Sequence, residues 1–174
     1  MAETETPDIP RPSQLWKQLS ADRKIQAAEA FWHDENAAAE QAEAIGTIAH
    51  RIKFRVKSVV SLPVAKKARH LASLPAVSEL LAARLLVAYH LAHQRAMMGS
   101  FLDAVGIAHE EGLIADEDLK APAPEKIAAA AKTLAASYPA EDVALYLATL
   151  TWQDAETWGT LASVPEVRRQ AEAS

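Results

Sequence analysis

"RIKFRVK", residues Arg51 to Lys57, decides the fold class. Ile52, Phe54 and Val56 alternate with Lys53, Arg55 and Lys57, and such alternation is the signature of a half-buried strand. Against that, Ile45, Ile48, Ile52, Val56 and Val59 or Val60 recur at intervals of three or four residues, which is helical spacing. A lone strand would also have no partner for its backbone hydrogen bonds. The segment therefore reads as helix, and with it the chain reads as all-α.

The flanking sequence agrees. From Ser13 onward alanine is abundant, glycine is confined to Gly46, Gly99, Gly106, Gly112 and Gly159, and hairpin signals of the Asn-Gly kind are missing. A Ser, apolar residue, Pro pattern occurs at Ser61-Leu62-Pro63, Ser73-Leu74-Pro75, Ser137-Tyr138-Pro139 and Ser163-Val164-Pro165, each time ahead of a helical pattern. Proline suits a first helical turn, where its missing N–H has no intrahelical partner to lose. The intervals of 12, 64 and 26 residues are irregular, so the pattern marks helix starts and is not a structural repeat. Helices are predicted over 14–19, 21–33, 36–60 with a break at Gly46, 64–72, 76–94, 96–110, 125–137, 140–151 and 155–162.

At 174 residues the chain fits one domain, able to bury roughly 70% of its unfolded surface. Prolines at 7, 10 and 12 mark residues 1–12 as a flexible arm. A single helical domain is expected over 13–163, made of a main part (13–111), a loop (112–124) and a three-helix part (125–163), with a tail at 164–174. The expected architecture is an orthogonal bundle of about eight helices, or a short αα-superhelix if consecutive pairs stack. Helix 76–94 is the expected centre, with one apolar stripe of Leu81, Leu85, Tyr89 and Ala92 and another of Leu80, Val87, Leu91 and Met98. The tryptophans, Trp16, Trp32, Trp152 and Trp158, are expected to seat the terminal helices on it.

Zero cysteines exclude disulfides, iron–sulfur clusters and a thiol nucleophile, and fit a reducing cytoplasm. The acidic, proline-containing start lacks the apolar core of a secretory leader. The greasiest stretch, Leu80 to His93, contains Arg84 and His90 and is shorter than the ~20 residues that span a bilayer. A cytoplasmic protein without a membrane span is expected. Glycine-rich phosphate loops, nucleophile elbows and dinucleotide fingerprints are missing, and Asp116-Glu117-Asp118 lacks the glycine and terminal glutamate of a calcium loop. No catalytic residue, reaction or cofactor is assigned.

Three constellations remain. His90 and His93, one helical turn apart, have the spacing of a two-imidazole metal site; the plainer reading places them at the rim of the core. The formal charge is −5, yet residues 44–78 hold Arg51, Lys53, Arg55, Lys57, Lys66, Lys67 and Arg69 and no acid. If that stretch is helical, Arg51 shares a face with Arg55 and Lys53 with Lys57. This window suits an anionic partner; its single aromatic, Phe54, and the low overall pI weigh against nucleic acid. The competing reading is a solvated face paired with the acids of "DENAAAEQAEA" and "DED". Met97, Met98 and Phe101 would make an adaptable partner groove, or plain core. The function expected first is a protein-interaction or scaffolding module, self-association included. The alternatives are a nucleic-acid or anionic-surface binder working through the 51–69 window and a metal-binding helical enzyme or sensor using His90 and His93.

Overall fold

Alanine-rich helices that approach closely build most of this molecule. The computed structural model describes residues 9–115 and 118–172. The expected arm lies outside the described residues up to position 8, and so do Asp116 and Glu117 of the acidic loop. Among the described residues there are eleven α-helices, one 3-10 helix and a two-stranded ribbon, an all-α multi-helix fold. Packing divides it into two compact units, Pro12–His93 and the chain from Gln94 onward together with residues 9–11.

The first unit contains α1 (Pro12–Gln18), α2 (Ala21–Trp32), α3 (Ala38–Ile52), α4 (Val56–Val60), α5 (Val64–Ala72) and α6 (Glu79–His93). α1, α2 and α3 all pack on α6. Of the expected stripe Leu81, Leu85, Tyr89 and Ala92, the first three are buried and Ala92 is exposed. The second buried stripe is Ala82, Leu86 and His90 instead of the one expected through Leu80, which is exposed. α6 stops at His93, so Met98 belongs to the next helix. Glu79 ties α1 to α6: its carboxylate accepts the Ser13 backbone N–H at 3.0 Å and the Ser13 hydroxyl. An acid there also compensates the N–H groups that a helix start leaves without intrahelical partners.

α2 begins at an N-cap, Ser20, whose hydroxyl accepts the Arg23 N–H at 3.3 Å. It lies against both α5 and α6, and Ala27, Ala28, Ala68 and Ala82 on these helices are fully buried. Side chains this small let helix axes approach at the close end of the usual ~8–10 Å. Gln41 of α3 donates to the carbonyls of Phe31 and Asp34 at 2.9 and 3.0 Å, satisfying acceptors where α2 ends. Three of the four Ser-apolar-Pro sites do start helices, at Val64, Ala140 and Pro165. The fourth does not, because the Ser78 hydroxyl takes the Leu81 N–H at 3.2 Å and α6 starts at Glu79.

The second unit contains α7 (Arg95–Val105), β1 (His109–Glu110), β2 (Leu113–Ile114), α8 (Pro124–Ser137), α9 (Ala140–Gln153), α10 (Ala155–Trp158), a 3-10 helix (Gly159–Ser163) and α11 (Pro165–Glu172). Every residue of α9 from Asp142 to Thr151 is buried, as befits a helix enclosed by α8, α10, the 3-10 helix and α11. The buried hydroxyls of Thr149 and Thr151 return to the carbonyls of Leu145 and Leu147 at 2.7 and 2.8 Å, so enclosure leaves them satisfied. Phe101 joins α7 to this core, its ring 5.9 Å from Tyr146 and 5.6 Å from Trp158. Trp158 thus packs its ring against α7.

Two expectations change here. The helix predicted over 96–110 ends at Val105, capped by Gly106 in the left-handed region (φ 76°). The position after it is a hairpin that the sequence reading did not foresee: His109 pairs with Ile114 and Glu110 with Leu113. Glu111 (φ 50°) and Gly112 (φ 90°) make its turn, both central residues left-handed as in a type I′ turn. A Cβ on Gly112 would lie 2.8 Å from Met98, so the position requires glycine for space as well as conformation. The stretch expected as a tail carries α11, which packs on α9.

Candidate functional site

The segment "RIKFRVK" is neither one strand nor one helix. α3 runs straight through Gly46, the expected break, and stops at Ile52. Lys53 turns into the left-handed region (φ 56°), and its N–H and that of Phe54 both reach the Ala49 carbonyl. His50 and Arg51 occupy the last turn of α3, where cations favour the carbonyl end of the helix dipole. Arg55 is extended, and its carbonyl accepts from Ser58 and Val59 at 2.9 and 3.2 Å, which starts α4 in a new direction. Ser61 ends α4 by returning both its N–H and its hydroxyl to the Lys57 carbonyl. The break replaces the continuous-helix pairing of Arg51 with Arg55 and of Lys53 with Lys57.

The consequence is an elbow between α3 and α4 whose side chains face solvent. Arg51, Lys53, Phe54, Arg55, Val56, Lys57 and Val60 are all exposed, and Val59 is the one residue of α4 that is buried. Phe54, Val56 and Val60 are 52%, 56% and 51% exposed. They are three of the five large apolar side chains left exposed among the described residues, the others being Leu80 and Leu113. Scattered exposed apolar residues need no explanation; a local run of them does. On α5, Lys66 and Arg69 are exposed too, whereas Lys67 lies with its ammonium 4.9 Å from the Trp32 ring centre, a cation–π contact that braces α5 on α2.

None of the seven basic residues of this window enters an ion pair among the described residues. Of the acids expected to neutralise it, Asp116 and Glu117 lie outside the described residues, and two others have partners of their own. Glu40 meets Arg84 of α6 at 3.3 Å, and Asp34 accepts the Asn36 N–H at 2.9 Å. The elbow is therefore a patch of uncompensated positive charge threaded with aliphatic and aromatic surface.

The other predicted site residues are placed differently. His90 is buried and desolvation lowers its pKa to about 3, so the ring is neutral, whereas His93 one turn later is exposed. Tyr89 stands beside both rings, at 5.8 and 5.4 Å between centres. Among the described residues no three His, Asp or Glu side chains converge to hold a metal ion. Met97, Met98 and Phe101 are buried in the second unit, as core and not as an open groove. His109 is a structural staple: its Nδ1 accepts the Gly112 N–H at 3.0 Å. Its Nε2 then carries the proton and donates to Asp103 Oδ1 at 2.7 Å, tying the hairpin to α7. A half-open cavity of about 450 Å³ in the second unit is lined chiefly by Ala128, Ala135, Val164 and Pro165, with Lys132 and Glu166 its charged lining.

No family model matches this chain, and no curated protein or solved structure matches it. Among the described residues, no helix is long and apolar enough to cross a membrane.

Proposed function

We propose that this protein is a docking module that receives an anionic partner on the elbow between α3 and α4. The observation that supports the reading is the unpaired state of Arg51, Lys53, Arg55 and Lys57, exposed in a window of the chain that contains no acid between Glu43 and Glu79. Charges left uncompensated in this way raise the local concentration of a negatively charged partner and speed its encounter. Lys66 and Arg69 of α5 add to the same positive field. The burial of Met97, Met98 and Phe101, and a buried His90 beside an exposed His93 with no third ligand among the described residues, lend no comparable support to a groove or a metal centre.

The test is a panel of three anionic probes, namely polyglutamate, single-stranded RNA and phosphatidylserine vesicles, titrated against the protein at low and at moderate salt. Wild type should bind at least one probe with an affinity that falls steeply as salt rises. Arg51→Gln/Arg55→Gln/Lys57→Gln, which leaves every buried side chain in place, should lose about a hundredfold of that affinity. Failure to bind any probe at low salt sinks the reading, and so does undiminished binding by the triple variant.

A further inference from the structure

We infer that the partner held by this elbow is the surface of an anionic lipid bilayer, with Phe54, Val56 and Val60 entering the headgroup region while Arg51, Lys53, Arg55 and Lys57 stay among the phosphates. The inference rests on the docking reading above and adds the identity of the partner. Charge alone would suit any polyanion. What selects the bilayer is the apolar half of the patch: three large side chains, each more than half exposed, set between the cations at 54, 56 and 60.

Nucleic acid has a use for one aromatic ring but none for the two valines, since its backbone offers phosphates and sugars and its bases offer stacking faces. An acidic protein segment would need the apolar anchors received in a pocket on one side or the other, whereas here they are exposed and Val59 is the one residue of α4 that is buried. A bilayer interface accommodates the combination without shape matching. It takes apolar side chains to a depth of ~5–10 Å, places aromatic rings at the headgroup level and attracts each nearby lysine or arginine. Long basic side chains flanking the apolar ones can keep their stems in the greasy zone and their charges in the phosphate layer. Because no acid lies within residues 44–78, nothing on this stretch is repelled by the negative surface.

The experiment is co-sedimentation of the full chain with vesicles of phosphatidylcholine, with and without phosphatidylserine. Three proteins are compared: wild type, the cation variant Arg51→Gln/Arg55→Gln/Lys57→Gln and the apolar variant Phe54→Ser/Val56→Ser/Val60→Ser. All substituted side chains are exposed, so equal unfolding midpoints are expected and are measured alongside. Wild type should partition onto phosphatidylserine vesicles and not onto phosphatidylcholine alone. The cation variant should lose about a hundredfold of that partitioning and the apolar variant about tenfold, the latter with an unchanged salt dependence. A Phe54→Trp protein should in addition show a blue-shifted emission component on phosphatidylserine vesicles that the same protein lacks in buffer.

Three results would overturn the inference. If wild type binds polyglutamate or RNA through the same cations but ignores the vesicles, the docking reading survives and the lipid assignment falls. If the vesicles bind and the apolar variant binds them equally well, the elbow meets them by charge alone and insertion is wrong. If no probe binds, both readings fall together.

Discussion

The two units of this chain treat their apolar and charged residues in opposite ways. Pro12–His93 carries eleven basic and seven acidic side chains, whereas residues 94–174 carry six basic and thirteen acidic ones. The second unit buries ten consecutive residues of α9, Asp142 to Thr151, and buries Phe101 completely. The first closes its helices over small alanines and leaves Phe54, Val56 and Val60 outside among cations. The same residue type therefore has two meanings. Phe101 is fully buried in the core, whereas Phe54 leaves more than half of its surface to solvent.

That contrast can be broken most directly with one substitution in each unit. Phe101→Ala removes a ring that touches Tyr146 and Trp158 in a fully buried site and should cost about 3–5 kcal/mol. Phe54→Ala should cost much less, about 1 kcal/mol or below, since the residue is already half exposed. Urea unfolding followed by tryptophan fluorescence measures both. A large loss from Phe54→Ala would make that ring a packing residue and remove the apolar part of the proposed surface.

How far the sequence could have told this apart depends on the residue. The all-α class, most helices beyond Pro63 and the core stripe of Leu81, Leu85 and Tyr89 follow from spacing and proline placement, because those signals are local. The elbow was hidden because its left-handed residue is a lysine; glycine at 46 looked like the break and turned out to sit in an unbroken helix. The hairpin was hidden for the same reason, with Glu111-Gly112 in place of the usual Asn-Gly. As for the candidate site, the seven basic residues were visible as a charge run. Their freedom from ion pairs and the exposure of the apolar residues between them are tertiary facts that no window of sequence contains.

Acid titration sharpens the comparison at an intermediate scale. The pKa of His90, buried on α6, is lowered by desolvation to about 3, below the 6.5 of an unfolded histidine. The folded state therefore resists the proton that the unfolded chain accepts. Its contribution to stability is complete above pH 6.5 and shrinks as pH falls toward 3. Between pH 7 and pH 5 this amounts to about 2 kcal/mol. In the second unit burial pushes the Tyr146 hydroxyl upward, away from that range. Measured by urea unfolding at the two pH values, wild type should lose about 2 kcal/mol more than His90→Leu on acidification. Parallel loss in both proteins would trace the acid sensitivity to other groups.

The smallest expected effects decide where the first unit bends, and the docking proposal depends on that bend. Gly46 lies exposed inside α3 with open space around its Cα, so Gly46→Ala should stabilise the protein by about 0.5–1 kcal/mol through helix propensity alone. Lys53 holds φ 56°, a region glycine occupies at little cost, so Lys53→Gly should also stabilise, by up to about 1 kcal/mol. Thermal or urea unfolding resolves shifts of this size when the variants are measured side by side. If both substitutions destabilise, the hinge is at Gly46 and α3 continues past Lys53. Ile52, Val56 and Val59 would then lie along one helical face able to pack inward, and the alternation of cation and apolar side chain at the elbow would dissolve into an ordinary amphipathic helix. If both stabilise, the left-handed turn at Lys53 is intrinsic to the fold, and the exposed Phe54 that follows it is a fixed feature available to a partner.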